Sequence, residues 1–145
     1  MSATSRGKTR RGLSQADYER LAEFRYVLRH FLVFSENAAA AAGLTAQQHQ
    51  ALLAIKGFGA PGRVATGVLA ERLGIRHHSA VGLIDRLSAK TLVRRRSTSD
   101  DRRRVLIELT PKAEGLLAKL SVTHLDELER LAPLLRILLA DFEPD

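Results

Sequence analysis

The 145-residue sequence predicts a mainly α-helical fold with one small β-hairpin. Long stretches near both ends repeat apolar residues at the three- and four-residue spacing of an amphipathic helix. Between them, two arginine triplets enclose a polar stretch and lead into Val105, Ile107 and Leu109, which would share one face of a strand. Glycines separate the helical segments in the centre. The length is that of one domain with its own core.

The first long helix is predicted over residues 14–43. Ser14 with Asp17 three residues on provides a cap, and Gly43 provides a stop. At 1.5 Å per residue this helix would reach roughly 43 Å, which so small a domain cannot cover. Part of it is therefore expected to pack on a second chain. The preceding residues 1–13 are polar and basic, and we expect them to be a disordered arm.

Four shorter elements follow in the centre of the chain. Thr45 and Gln48 predict a capping box at the start of a second helix. After a short strand, Thr66 is expected to cap a third helix, which Gly74 ends. A fourth helix is predicted over residues 77–90 and leads into the arginine hairpin. Its inward-facing residues are predicted to be Val81, Ile84 and Leu87.

The last helix is predicted to begin at the pair Thr110-Pro111, a cap followed by a proline in the first turn. Pro133 is expected to break it, leaving Leu134 to Leu139 as a short apolar turn.

Charge is unevenly distributed over the chain, whose net charge is +7. Residues 63–104 hold eleven basic and four acidic groups, whereas residues 105–145 hold four basic and eight acidic groups. The central segment would therefore attract a polyanion, of which the nucleic-acid backbone is the most abundant. The alternative is a merely solvated arginine surface. Only 5% of residues are aromatic, which disfavours modules that stack on single-stranded or RNA bases.

Several classes of protein are disfavoured by composition. There is no cysteine, which removes disulfides, thiolate nucleophiles and cysteine-ligated zinc. No segment resembles a membrane span or a secretory signal, so the cytoplasm is the expected compartment. No phosphate-binding glycine loop, metal-ligand spacing or catalytic motif is present, and we expect neither an enzyme nor a cofactor. Adjacent His77 and His78 diverge by about 100° on a helix and would chelate a metal poorly.

The order helix, tight turn, helix, basic hairpin is that of a winged helix-turn-helix. The second helix of such a pair enters the major groove of DNA, and the hairpin extends the contact sideways. Polar and basic residues crowd both elements. The candidate DNA-binding residues are Arg76, His77, His78, Ser79, Gly82, Arg86, Lys90, Arg94, Arg95, Arg96, Asp101, Arg102, Arg103 and Arg104.

These motifs resemble the MarR family of bacterial transcriptional regulators over about residues 14–140. The resemblance is carried by LAERLGI at 69–75, VGLIDRL at 81–87, LVRR at 92–95, and Asp101-Arg102-Arg103 through Leu109-Thr110-Pro111. It implies that Asp101 orients Arg103 in the minor groove. Gly82 departs from the polar residue that the family usually carries in the recognition helix.

The resemblance also implies the organisation of the chain. Residues 14–145 would form one domain, with 14–43 and 111–145 as dimerisation helices and 45–110 as a DNA-binding lobe. The function it implies is a sequence-specific homodimeric regulator, most often a repressor, on a pseudo-palindromic operator. The alternative is a non-specific architectural DNA-binding protein. Small anionic or phenolic effectors are common in the family, and the residues that could border an effector cleft are Arg25, Arg29, His30 and His49.

Overall fold

The computed structural model describes residues 12–59, 62–98, 101–140 and 142; for Thr98 and residues 101–104 it describes the backbone alone. The described elements are α1 (Gln15–Ala41), α2 (Ala46–Phe58), β1 (Arg63–Ala65), α3 (Thr66–Leu73), α4 (His77–Ala89), β2 (Val93–Thr98), β3 (Asp101–Leu109) and α5 (Pro111–Ala140). The predicted fold class, mainly helical with a small β-hairpin, is confirmed, and the hairpin β2-β3 belongs to a three-stranded antiparallel sheet. Within the described ranges, no helix is both long and apolar enough to cross a membrane.

Local hydrogen bonds start the first two helices where the sequence predicts. The backbone N–H of Asp17 donates to Ser14 Oγ at 3.2 Å, and the Ser14 N–H donates to Asp17 Oδ2 at 2.9 Å. Thr45 and Gln48 form the same reciprocal box before α2. Each box satisfies N–H groups that the first helical turn leaves unpaired.

The turn between α3 and α4 is built on Gly74. Its φ of 64° lies in the left-handed region, and the N–H of Ile75 returns to the carbonyl of Ala70 at 3.0 Å. This Schellman closure ends α3 and turns the chain into α4. The expectation that Thr66 caps α3 is wrong, because Ala65 occupies the cap position and no side chain accepts there.

The buried face of α4 consists of Ala80, Leu83, Ile84 and Leu87. Val81 was predicted to face inward, but it is 38% exposed. The residues at spacings of three and four from Ala80 are already apolar and complete the buried stripe, which leaves Val81 on its edge.

A three-stranded antiparallel sheet in the order β1-β3-β2 completes the winged-helix core. Val64 pairs with Ile107, and Val93 pairs with Leu109. These four side chains join one core cluster with buried residues of α2, α3, α4 and α5. Neighbouring side chains along a strand point to opposite faces, so the residues next to these four on each strand point away from the core.

The chain divides into two compact units. One, here called the central lobe, comprises Phe34–Asp126 and contains the core cluster. The other, here called the terminal unit, comprises the chain up to Val33 and from Glu127 onward. The terminal unit exposes many large apolar side chains, among them Ile137 at 71%. Its exposed apolar residues include Leu13, Tyr18, Leu21, Tyr26, Leu28, Leu32, Val33, Leu128, Leu134, Leu139 and Phe142. So many exposed apolar groups are typical of a surface that meets another protein.

The prediction that Pro133 breaks the last helix is wrong, because α5 runs through it to Ala140. Proline removes one helical hydrogen bond, but its φ near −65° is already a helical value. Pro133 is exposed, so water can reach the carbonyl of Glu129 that loses its partner.

Two histidines lie against each other in the central lobe. The rings of His49 on α2 and His124 on α5 have centroids 4.8 Å apart. His124 Nδ1 lies 2.6 Å from the carbonyl of Leu120, so it carries the hydrogen, and Nε2 lies 2.8 Å from Ser35 Oγ. His49 is only 4% exposed, and its Nδ1 has no hydrogen-bond partner. Desolvation by burial, followed by the charge of His124, lowers the pKa of His49 below its ordinary 6.5.

We predict that the stability of the fold decreases as the pH falls below about 6.5. In this window the unfolded chain takes up a proton at residue 49 that the folded chain resists, so protonation favours unfolding. The measurement is the urea unfolding midpoint between pH 8 and pH 5.5. His49→Phe should flatten the profile, whereas His78→Gln, at an exposed histidine, should leave it unchanged. An equally steep profile in His49→Phe would contradict the assignment.

Candidate nucleic-acid interface

The N-terminal turn of α4 presents polar side chains to solvent. Arg76 occupies the cap position in extended conformation, and its side chain makes no capping bond. His77, His78 and Ser79 follow and are exposed, whereas Ala80 is buried. The four residues 76–79 therefore present hydrogen-bonding groups at the positive end of the helix dipole, which attracts phosphate.

Gly82 lies one turn further along α4, and the fold itself does not require a glycine there. A Cβ at this position would meet only Nη1 of Arg86, at the ordinary contact distance of 3.5 Å. Because glycine has no side chain, this position would let another molecule approach the helix backbone closely. Arg86 is exposed on the same helix.

Lys90, a candidate DNA-binding residue expected to contact phosphate, is hydrogen-bonded to other residues at the surface of the central lobe. Its Nζ donates to the carbonyl of Gly43 at 3.0 Å and to Gln48 Oε1 at 3.1 Å. These bonds tie the end of α4 to the turn between α1 and α2. The phosphate contact of Lys90 stays a prediction, and DNA would have to compete with both acceptors.

The first arginine triplet is divided between the two faces of β2. Arg95 points to the face that carries the core residues Val93 and Ile107, and it pairs with Asp85 of α4. Arg94 and Arg96 point to the opposite face, here called the outer face. The three arginines therefore do not form one continuous patch.

A buried carboxylate, Glu108 of β3, lies at the centre of the outer face and is 8% exposed. It receives Arg94 Nε at 2.7 Å and Arg96 Nε at 2.7 Å on Oε1, and Arg63 Nε at 2.9 Å on Oε2. Sequence reasoning missed Glu108 and Arg63. The signal that could have revealed Glu108 was an acidic residue in the apolar run Leu106-Ile107-Glu108-Leu109, because a charge buried with such neighbours needs a partner.

The electrostatics of Glu108 follow from this surrounding. Desolvation by burial raises its pKa, but the hydrogen bonds from Arg94 and Arg63 and the charge of Arg96 outweigh the burial. The net result is a pKa below the ordinary value, so Glu108 is ionised at neutral pH. One negative charge then lies among three positive charges.

The second arginine triplet lies in β3, as the predicted hairpin requires. The backbone of Asp101 pairs with Thr98 next to an irregularity in the ladder. The side chains of Asp101, Arg102, Arg103 and Arg104 lie outside the described residues. Their predicted contacts with DNA stay predictions.

The residues predicted to border an effector cleft lie in different surroundings. Arg25 and Arg29 are exposed one turn apart on α1, and the ring of His30 contacts that of Tyr26 at a tilt, with centroids 4.7 Å apart. His49 is buried against His124. The effector role of all four stays a prediction.

Two adjoining grooves lie in the central lobe along α1 and α5. The larger, of about 390 Å³, has a mainly apolar lining. Its lining residues are Ala38, Ala41, Ala42, Leu116, Lys119, Leu120 and Thr123. The smaller, of about 200 Å³, shares Ala42 and Leu116 and includes Lys90 and Lys112. Over the part of the chain that is described, no three histidine or acidic side chains are placed to hold a metal ion.

Comparison with known proteins agrees with this geometry. The MarR family model matches residues 42–104, which include α2, the helix-turn-helix, β2 and the first part of β3. The family is one of transcription factors, not of enzymes. No curated protein sequence matches the chain significantly.

Solved structures with the same fold include three of particular interest. AbsC, a MarR family transcriptional regulator from Streptomyces coelicolor, has a TM-score of 0.67 at 20% identity. The aligned region covers 92% of this chain and 85% of the AbsC chain. NadR in complex with 4-hydroxyphenylacetate has a TM-score of 0.68 at 22% identity, covering 92% of each chain. An S. aureus MepR mutant bound to an oligodeoxyribonucleotide has a TM-score of 0.67 at 19% identity, covering 87% of this chain and 98% of its own.

The resemblance noted in the sequence is therefore confirmed: residues 42–104 match the MarR family of transcriptional regulators, and the chain has the winged-helix fold of that family.

Proposed function

We propose that the chain is a homodimeric transcriptional regulator that binds a pseudo-palindromic site in duplex DNA and acts as a repressor. The observation that carries this proposal is the exposed polar start of α4 beside a hairpin rich in arginine. A helix of this kind fits the major groove, and two copies related by two-fold symmetry would read half-sites about one helical turn apart. We further propose that it acts in the cytoplasm.

Each group would have a distinct role at the DNA. Residues 76–79 would contact base edges, where hydrogen-bond donors and acceptors discriminate sequence. Arg86 and the wing arginines would contact phosphates, which contribute affinity but little specificity. By the MarR resemblance, Arg103 would enter the minor groove with Asp101 orienting it.

A second candidate function is that of a non-specific architectural DNA-binding protein. The one feature that favours it is the charge of the cationic segment. The two functions differ in one measurable respect. A specific regulator binds its selected site roughly a thousandfold or more above shuffled DNA, whereas a charge-only binder does not discriminate.

Base reading and phosphate binding should separate by substitution. We expect His77→Ala and His78→Ala, which remove hydrogen-bonding groups from the start of α4, to reduce discrimination between selected and shuffled DNA by about tenfold. Arg86→Ala should weaken binding to both DNAs and flatten the slope of log affinity against log salt by about 0.9. Fluorescence anisotropy at several salt concentrations measures both quantities. Lys56→Ala, the same charge change on α2, is the control. Undiminished discrimination in both histidine variants would argue against base reading by α4.

Self-association is proposed to use the exposed apolar side chains of the terminal unit. Ile137→Asp would place a charge within that surface and should weaken dimerisation by roughly a hundredfold, about 2.8 kcal/mol. Sedimentation equilibrium measures the change. Leu53→Asp, at a 50% exposed leucine of the central lobe, is the matched control and should leave the dimer intact. A variant at Ile137 that dimerises like the wild type would remove this surface from the interface.

An effector site is also proposed, in the larger groove along α1 and α5. Its volume lies within the range of small-molecule sites, and Lys119 would offer a positive charge to a carboxylate above an apolar lining. NadR, of similar fold, is solved with an aromatic carboxylate, which makes this chemical class the first to try.

Small aromatic carboxylates, 4-hydroxyphenylacetate among them, should raise the melting temperature and release DNA. Lys119→Met should weaken this response about tenfold by removing the charge partner. Arg29→Met tests the location predicted from sequence, and Lys56→Met is the control. A response lost in Arg29→Met but kept in Lys119→Met would place the site near Arg29 and not in the groove.

A further inference from the structure

Glu108 connects all three strands of the sheet through arginines. Strand register makes Arg63 and Arg94 its direct neighbours on either side, because both pair with position 108 of the central strand. Arg96 lies two residues further along β2 on the same face, within reach of a long side chain. We call Arg63, Arg94 and Arg96 the arginine row.

In each member of the arginine row, Nε is the nitrogen closest to the carboxylate, at 2.7 to 2.9 Å. A guanidinium has five N–H donors, so four remain on the terminal nitrogens of each arginine. No terminal nitrogen of the row makes a hydrogen bond or ion pair with another described residue. The terminal edge is the one that binds phosphate oxygens in pairs.

The charge balance keeps the row attractive to anions. Three guanidiniums surround one carboxylate, which leaves a local excess of two positive charges. Without the carboxylate, three like charges on neighbouring strands would repel each other and separate. The acid therefore holds the row together while neutralising only a third of its charge.

We propose that Glu108 is a positioning residue for DNA binding, which fixes the arginine row so that its terminal edges meet phosphates beside the wing. This role rests on the proposed binding of duplex DNA. It has an unusual consequence: an acidic residue strengthens the affinity for a polyanion.

Glu108→Gln distinguishes positioning from simple charge. The change keeps the side-chain size and adds one positive charge, so charge alone predicts tighter binding and an equal or steeper salt slope. Positioning predicts the opposite: roughly tenfold weaker binding, the loss of about one charge-assisted contact, and a slope flatter by about 0.9 or more. Glu71→Gln, at an exposed acid of α3, makes the same charge change and should not weaken binding.

The salt slope also separates positioning from loss of folded protein. Where circular dichroism shows the same folded fraction at every salt concentration, partial unfolding lowers the apparent affinity equally throughout, whereas lost phosphate contacts change the slope. In addition, Arg96→Ala should weaken binding in the wild-type background and have little further effect in the Glu108→Gln background, because the two residues act as a unit.

The outcomes are distinguishable. Failure of the wild type to bind any duplex would refute the proposed function itself. Wild-type binding together with equal or tighter binding by Glu108→Gln would overturn the positioning role alone. If Glu108→Gln does not fold, the role of the arginine row is tested by the single variants Arg63→Ala, Arg94→Ala and Arg96→Ala. Each should flatten the slope by about 0.9, and unchanged slopes in all three would also overturn the inference.

Discussion

The alternation of side chains along β3 is the constraint on which the central lobe depends. Ile107 and Leu109 point inward and join the core, together with buried residues of helices that precede and follow β3 in the sequence. Glu108 between them must then point to the outer face, where the neighbouring strands supply arginines. A shift of register by one residue would bury the charge in the core and expose the two apolar side chains. Packing and electrostatics therefore fix the same register.

Acidic residues orient the arginines of the cationic wing and do not cancel its positive charge. Asp85 of α4 pairs with Arg95 on the inner face, and Glu108 binds Arg94 on the outer face. The arginines of β2 are thereby directed to two sides of the hairpin. The exposed pair of Arg95 and Asp85 stabilises the fold little, but both ion pairs fix where a guanidinium is presented. In this way the arginines of β2 have defined orientations that the net charge of the hairpin does not specify.

The central lobe is also stabilised at its helical side by polar contacts between distant segments. Lys90 connects α4 with the turn before α2, and His124 of α5 connects with Ser35 of α1. Buried His49 packs against His124 but leaves one nitrogen without a partner, which makes neutral imidazole the stable form. Such contacts couple the start and end of the lobe, and the lowered pKa of His49 disfavours its protonation there.

Sequence by itself determined the starts of α1 and α2 and the turn at Gly74, because the interactions that fix them close within one turn. Ser14 with Asp17, Thr45 with Gln48 and left-handed Gly74 were all predictable for that reason. The helix-turn-helix and hairpin followed from the order of these elements and from the period-two pattern of the strand. The exposed start of α4 was predictable too, since polar residues at a helix start rarely face the core.

Tertiary structure alone decided which distant groups meet. Arg63 and Glu108 are 45 residues apart, and only the strand register brings them together. Lys90 finds acceptors more than forty residues away, and Pro133 remains within a helix that local propensity would have ended. Composition specifies the charges, but the partner of each charge depends on how sheet and helices pack, because a long side chain binds whatever group the fold places within its reach.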